Sequence, residues 1–149
     1  MKESDNKTLV IGIGNCGRAD DVLGWAFIDR IKGKLPGNFD CEYRYQLQVE
    51  DAELISHYPV VYFVDADKNQ WDAGYMCAQC IPKSTHGFSS HELDPETVLD
   101  LSRSIYNHLP ASYLLGISGA SFQLKMGLTN RAEENLSKAL DFFNEKMLH

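Results

Sequence analysis

Three side chains able to bind a divalent metal come just after predicted strands or just before a predicted helix. Asp21 follows a glycine-rich turn, Asp65 follows the apolar run 59–64, and His91 precedes a helical segment. Two carboxylates and one imidazole form a site of intermediate hardness with open coordination positions, which suits Ni²⁺, Zn²⁺ or a similar cation. If the strand ends meet at one edge of a sheet, these residues predict a metal-contacting site there.

Each of these residues also has a plainer interpretation. An Asp at a helix start usually caps the helix, which would account for Asp20 or Asp21. Asp65 is harder to explain in this way, because a carboxylate that ends an apolar run is partly buried and requires a partner or a metal. His86 competes with His91 as the imidazole, since both precede the same predicted helix.

The glycines of the first turn raise a different possibility. Gly12, Gly14 and Gly17 match G-x-G-x-x-G directly after a predicted strand, which is the pattern of a dinucleotide site. Asp20 and Asp21 count against it, because they stand at the helix N-terminus where a pyrophosphate would bind. The second predicted strand also lacks a terminal acidic residue to bind a ribose. We favour a turn that positions the acidic pair, with a Rossmann-like nucleotide-binding enzyme as the alternative.

Apolar runs alternate with amphipathic segments along the chain. The predicted strands cover residues 8–13, 41–48, 59–64, 75–82 and 113–117, and the predicted helices cover 20–32, 49–57, 94–108 and 130–148. This alternation predicts an α/β fold: a single-domain three-layer α/β/α sandwich over residues 1–149, with a mostly parallel five-stranded sheet. If the first strand lies between the second and the third, as in a 2-1-3 core, the strand ends that carry Asp21 and Asp65 lie side by side.

Two helices have apolar stripes that predict their buried faces. The stripe of the 94–108 segment is Val98, Leu101, Ile105 and Leu109. The stripe of the last helix, which follows a cap-like Thr129, is Ala132, Leu136, Ala139, Leu140, Phe143 and Met147.

Charge and hydropathy exclude several classes of partner. The 149 residues carry a formal net charge of −7 and no basic stripe, which argues against nucleic acid and against an anionic membrane surface. The first seven residues are polar, and no apolar stretch approaches the roughly 18 residues that a spanning helix requires. We expect a cytoplasmic protein that is a monomer or a weak homodimer.

The cysteines do not predict a redox or zinc site. Cys77 and Cys80 form a C-x-x-C, but they lie in a predicted strand, where residues three apart point to opposite faces. We interpret them as packed strand cysteines, and we expect Cys16 and Cys41 to be reduced as well.

Several short motifs occur in a characteristic order along nearly the whole chain. They are Ile11-Gly12-Ile13-Gly14-Asn15, Arg18, Asp20-Asp21, Gly24-Trp25, Gln46-Leu47, Glu50, Val64-Asp65-Ala66, Ser90-His91-Glu92-Leu93, Gly116 and Gly127-Leu128-Thr129. In this order and spacing the chain resembles the nickel-iron hydrogenase maturation endopeptidases. That family removes a C-terminal extension from the hydrogenase large subunit after nickel has been inserted.

The resemblance implies a function and a set of residues that carry it. It implies that Asp21, Asp65 and His91 contact the metal and form the catalytic site, on a phosphorylase/hydrolase-like three-layer fold with a five-stranded sheet. It also implies that nickel arrives with the substrate, a hydrogenase large-subunit precursor, with zinc or cadmium as surrogates and no organic cofactor. A non-catalytic homologue that binds metal or a partner tail in the same cleft is the second alternative.

Overall fold

The structure, a computed structural model, describes residues 6–84 and 93–148. Its strands are β1 (Thr8–Ile13), β2 (Phe39–Arg44), β3 (Val60–Asp67), β4 (Tyr75–Gln79) and β5 (Ala111–Ser118). Its α-helices are α1 (Leu23–Ile31), α2 (Glu50–Ile55), α3 (Pro95–Tyr106) and α4 (Asn130–Leu148). A 3₁₀ turn (Ala19–Val22) precedes α1.

The strands form one sheet in the order β2-β1-β3-β5-β4. All neighbouring pairs are parallel except β4 with β5, which is antiparallel. The predicted five-stranded, mostly parallel sheet is confirmed, and β1 lies between β2 and β3. The four parallel strands end along one side of the sheet, which we call the carboxyl edge.

Two apolar cores lie on opposite faces of the sheet. One packs α1 and α4 against the strands, and the other packs α2 and α3 against them, which gives the predicted three layers. The predicted stripe of α4 is confirmed, because Ala132, Leu136, Ala139 and Phe143 are fully buried and Leu140 and Met147 pack beside them.

The predicted stripe of α3 is confirmed for Val98, which is fully buried, and for Leu101, which packs against the same core, but it is wrong for its last two residues. Val98, Leu99 and Ser102 are buried, whereas Ile105 and Leu109 are 58% and 45% exposed. The hydroxyl of Ser102 donates to the carbonyl of His108 at 2.7 Å, so a polar residue can occupy the buried face with its hydrogen bond made. A buried face predicted from apolar residues alone is therefore displaced toward the neighbouring face of the helix.

Several predicted strand ends also differ from the structure. β4 ends at Gln79 rather than at residue 82, so Cys80 follows the strand instead of lying in it. β2 ends at Arg44 rather than at residue 48, because the Arg44 carbonyl accepts hydrogen bonds from the Gly14 N–H and the Trp25 indole N–H, each at 2.9 Å. β3 continues to Asp67, since its last residues pair with β5 as far as Ser118. Asp65 thus lies inside the strand and not after it.

Helix α1 packs on the sheet through two glycines. A Cβ on Gly24 would lie 2.2 Å from the Ile13 carbonyl oxygen and 2.5 Å from that of Val64, and one on Gly12 would lie 2.3 Å from the Gly24 oxygen. These separations are far below van der Waals contact, so only glycine fits at either position. The contact holds the start of α1 against the ends of β1 and β3.

The C-x-x-C cysteines lie on opposite faces of the sheet, as predicted. Cys77 packs against the core of α1 and α4, whereas Cys80 belongs to the core of α2 and α3. Burial raises the pKa of both thiols, that of Cys80 to about 12. Both side chains are therefore protonated at neutral pH and behave as packing residues.

No helix in the described ranges has the length and apolarity needed to cross a membrane.

Candidate metal-recognition edge

Asp21 and Asp65 both lie at the carboxyl edge. Asp21 belongs to the 3₁₀ turn that follows β1, and Asp65 lies near the end of the neighbouring strand β3. Both residues are half-buried, and one carboxylate oxygen of Asp65 accepts the N–H of Ala66 at 2.8 Å. The fold thus carries one predicted carboxylate in the turn that follows β1 and the other near the end of the adjacent strand β3.

A cavity of about 340 Å³ opens beside Asp65. Its lining residues are Ile13, Tyr45, Gln46, Leu47, Asp65, Leu93, Asp94 and Pro95. The backbones of Leu47 and Leu93 form an antiparallel bridge, which joins the loop after β2 to the segment before α3. Asp21 does not line this cavity, so only one of the two carboxylates faces it.

His91, the third predicted metal-contacting residue, lies outside the described residues, as does its competitor His86. Leu93 is the first described residue that follows His91, and it lines the cavity beside Asp65. Within residues 6–84 and 93–148, no three His, Cys, Asp or Glu side chains are grouped so that they could hold a metal ion. The three-residue metal set therefore stays a prediction.

The loop after β2 is held by an ion pair that the sequence did not reveal. The Arg44 guanidinium donates to one oxygen of Asp51 at 3.0 Å, and the Gln48 N–H donates to the other at 2.8 Å. Asp51 is 3% exposed, and the ring of Tyr45 lies 4.9 Å from that of Trp25. These contacts hold the loop whose residues Tyr45, Gln46 and Leu47 line the cavity.

Asp94 closes the cavity at the start of α3. Its carboxylate caps the helix by accepting the Thr97 N–H at 2.9 Å and the Thr97 hydroxyl at 2.6 Å. Burial acts to raise the pKa of Asp94, but these hydrogen bonds and nearby Lys83 outweigh it, so the pKa is lowered. Asp94 is thus an ionised capping residue at neutral pH.

Asp20 caps no helix of its own, contrary to the simplest interpretation of an Asp at a helix start. Its side chain is fully buried and accepts four hydrogen bonds. The donors are the N–H groups of Ala120 (2.6 Å), Ser121 (2.9 Å) and Thr129 (2.8 Å) and the Thr129 hydroxyl (2.8 Å). Burial acts to raise the pKa of Asp20, but these four donors outweigh it and lower the pKa.

These bonds join the 3₁₀ turn to residues 119–129, which we call the 119–129 loop. The Asp20 N–H donates to the Ser121 carbonyl at 2.9 Å, and the Ala19 N–H donates to the Lys125 carbonyl at 2.8 Å. Ala19 has a φ of +48°, a left-handed conformation that costs a non-glycine residue about 1 kcal/mol. The long-range bonds hold the turn in this conformation.

The glycine-rich turn is explained by packing. A Cβ on Gly14 would lie 2.8 Å from the Asp21 carbonyl oxygen, so this glycine lets the 3₁₀ turn fold back on the end of β1. The Gly17 N–H donates to the Asn15 side chain at 3.0 Å, within the turn. The next element is a four-residue 3₁₀ turn with buried Asp20, and it offers a pyrophosphate no helix N-terminus of the dinucleotide type.

Comparison with known proteins gives a match in structure and none in sequence. No protein-family model and no curated protein matches the chain. Among solved structures, the hydrogenase maturating endopeptidase HybD from E. coli superposes with a TM-score of 0.74 at 20% identity, over 95% of this chain and 92% of that one. The nickel-iron hydrogenase maturation protease HycI from Thermococcus kodakarensis gives 0.71 at 19% identity, over 97% and 94%.

A third match is the hydrogenase 2 maturation peptidase from a Thaumarchaeota archaeon, with a TM-score of 0.68 at 21% identity, over 94% of this chain and 97% of that one. The chain has the fold of the hydrogenase maturation endopeptidases. Each superposition covers more than nine-tenths of both chains, so this endopeptidase fold extends over the whole molecule. The fold agrees with the resemblance drawn from the motifs.

Proposed function

We propose that this protein is an endopeptidase that removes the C-terminal extension of a nickel-loaded hydrogenase large-subunit precursor. The observation that supports it most directly is the position of Asp21 and Asp65, at the carboxyl ends of the neighbouring strands β1 and β3. The fold adds support, since solved proteins with this fold are named as hydrogenase maturation endopeptidases. Ligand sites of open α/β sheets lie at this edge.

Asp21, Asp65 and His91 are the proposed contacts to the nickel of the precursor. Two carboxylates and one imidazole leave coordination positions open for the ligands that the precursor itself supplies. Leu93 lies two residues beyond His91 and lines the cavity beside Asp65.

The proposed chemistry is hydrolysis of a peptide bond held next to the metal. Contact with the metal positions the bond, and a carboxylate or the metal activates a water molecule that attacks the carbonyl carbon. Asp20 is unsuited to act as the base, because its oxygens are already occupied by four donors. Because docking requires the metal, only loaded precursor is cut.

Mass spectrometry of the precursor tests this function. Nickel-loaded precursor should lose its tail with the wild-type protein and keep it with Asp21→Asn, Asp65→Asn or His91→Ala. Asp141→Asn, on the exposed face of α4, should cleave as the wild type does. Equal cleavage of metal-free precursor would contradict recognition through nickel, and nickel binding without any product would indicate a non-catalytic homologue.

A further inference from the structure

Two large apolar side chains stand exposed in the 119–129 loop. Leu124 is 76% exposed and Met126 is 78% exposed, the highest values among the large apolar residues that the structure describes. Lys125 lies between them in the sequence. Exposed apolar groups next to a candidate site are characteristic of surfaces that bind a partner.

The loop that carries these side chains is anchored at both ends. The Asp20 carboxylate accepts the N–H groups of Ala120 and Ser121 at its start and both donors of Thr129 at its end. A Cβ on Gly119 would lie 2.8 Å from the Asp20 Cβ, so the loop leaves β5 in close contact with the anchor. A loop held in this way loses little conformational entropy when it binds a partner.

Three cationic residues, Arg18, Lys68 and Lys125, belong to the loop or contact it, although the chain as a whole carries a net charge of −7. The backbones of Arg18 and Lys125 are paired, and the Lys68 ammonium lies 5.7 Å from the ring centre of Phe122. Across the described ranges, neither Arg18 nor Lys125 forms an ion pair with an acidic side chain. This combination of apolar and cationic groups complements an apolar partner that carries negative charge.

The same loop touches the turn that bears Asp21. The Ala19 N–H donates to the Lys125 carbonyl at 2.8 Å, two residues before Asp21 in the sequence. In the sheet, β5, which leads into the loop, is the neighbour of β3, which bears Asp65. The apolar and cationic surface is therefore continuous with the proposed metal-recognition edge.

We infer that the surface formed by Leu124, Lys125, Met126 and Arg18 binds the C-terminal extension of the precursor. This inference rests on the proposed function and adds the surface that selects the peptide to be removed. Any C-terminal extension carries at least one negative charge, its terminal carboxylate, and the cations match it. Leu124 and Met126 supply the apolar contact that a metal alone cannot provide.

Peptide binding tests the surface without requiring cleavage. The probe is a fluorescent synthetic peptide with the sequence of the extension of the precursor under assay, titrated by fluorescence anisotropy. The double variant Leu124→Ser/Met126→Ser should bind it about tenfold more weakly or worse than the wild type. Ile105→Ser, an exposed apolar residue at the C-terminal end of α3 on the opposite edge, should stay within about twofold.

Charge is tested with the same assay. An amidated peptide, or the variant Lys125→Gln, should weaken binding several-fold and reduce its dependence on salt. An unchanged salt dependence would contradict recognition of the carboxylate. Thermal unfolding of each variant should match that of the wild type, because all these side chains are exposed.

Cleavage kinetics separate the two proposals. With nickel-loaded precursor, the double variant should raise KM by about the factor seen for the peptide and leave kcat within about twofold. If the wild type cleaves nothing while the peptide pattern holds, the cleavage proposal alone fails. If the wild type cleaves and the double variant has the KM and the peptide affinity of the wild type, the docking surface is wrong. It is also wrong if the peptide does not bind the wild type.

Discussion

Asp20 and Asp21 are adjacent and chemically identical, yet their surroundings give them different roles. The side chain of Asp20 points into the protein, where four donors satisfy it with no cation among its described partners. Asp21 is half-buried at the carboxyl edge, and it is a proposed contact to the substrate metal. The buried carboxylate is stabilised by hydrogen bonds, so it fixes the backbone of the turn that presents its neighbour.

Replacing Asp20 by Asn should lower the free energy of unfolding by about 1–3 kcal/mol, because an amide NH₂ would face donors that now meet a carboxylate oxygen. Chemical denaturation measures this. Asp141→Asn, on the exposed face of α4, should change stability by less than about 0.5 kcal/mol. Equal stability of the two variants would show that the Asp20 hydrogen bonds contribute nothing.

The pKa of Asp20 predicts how its contribution varies with pH. Because this pKa is lower in the folded protein than in the unfolded chain, the stabilisation is complete above the unfolded value of about 3.9 and is lost as the pH falls through the folded value. The difference in unfolding free energy between the wild type and Asp20→Asn should be constant near neutral pH and shrink below about pH 4. A difference that grows on acidification would contradict this sign.

Among the elements, the contact between α1 and β1 controls the shape of the edge. Gly24 and Gly12 let the helix approach the strand backbone, which brings the 3₁₀ turn with Asp21 close to the end of β1. The Trp25 indole N–H, which donates to the Arg44 carbonyl at 2.9 Å, joins the same helix to the end of β2. One helix thus fixes two of the loops at the carboxyl edge.

Replacing Gly24 by Ala should destabilise the protein by about 1–3 kcal/mol or more, because the new Cβ would lie 2.2 Å from the Ile13 oxygen and the backbone must move. Gly37→Ala is the matched control, since a Cβ there meets nothing within 4 Å and the backbone has no positive φ. Urea denaturation should show a near-neutral change for Gly37→Ala. A neutral Gly24→Ala would mean that the helix can shift without cost.

For the whole molecule, the three-layer fold separates stability from recognition. The two cores lie above and below the sheet, whereas the candidate residues lie at its carboxyl edge. Polar substitutions at the edge can therefore change recognition while the cores keep the protein folded. This separation is common in doubly wound folds, whose ligand sites lie outside the layers that stabilise them.

Ligand-induced stabilisation distinguishes metal recognition from nucleotide binding. Nickel or zinc in excess over its Kd should raise the Tm. At a hundredfold excess over Kd, the free energy of unfolding should rise by about 2.7 kcal/mol. NAD and ATP should produce no shift, since the glycine-rich turn is filled by packing. The metal shift should shrink in Asp65→Asn and disappear with a chelator. A rise in Tm with NAD or ATP but not with nickel or zinc would favour nucleotide binding over metal recognition.

Much of this architecture follows from local sequence patterns. The apolar run of β1 and the stripe of α4 appear where hydrophobic periodicity places them, because burial of one face is decided by residues a few positions apart. Alternation of strands and helices was enough to predict the three layers. The strand order then places β1 between β2 and β3. The adjacency of Asp21 and Asp65 along the edge follows from that order alone.

The remaining features depend on contacts between distant parts of the chain. The role of Asp20 is set by donors 100, 101 and 109 residues away, which no local pattern reveals. The ends of β2 and β3 and the buried face of α3 likewise depend on which carbonyl or strand pairs with them in space. Asp21 and Asp65 were thus predictable as candidates from their types and strand ends, whereas the anchored loop beside them required the folded chain, because its hydrogen bonds form only when β1, β5 and α4 are packed together.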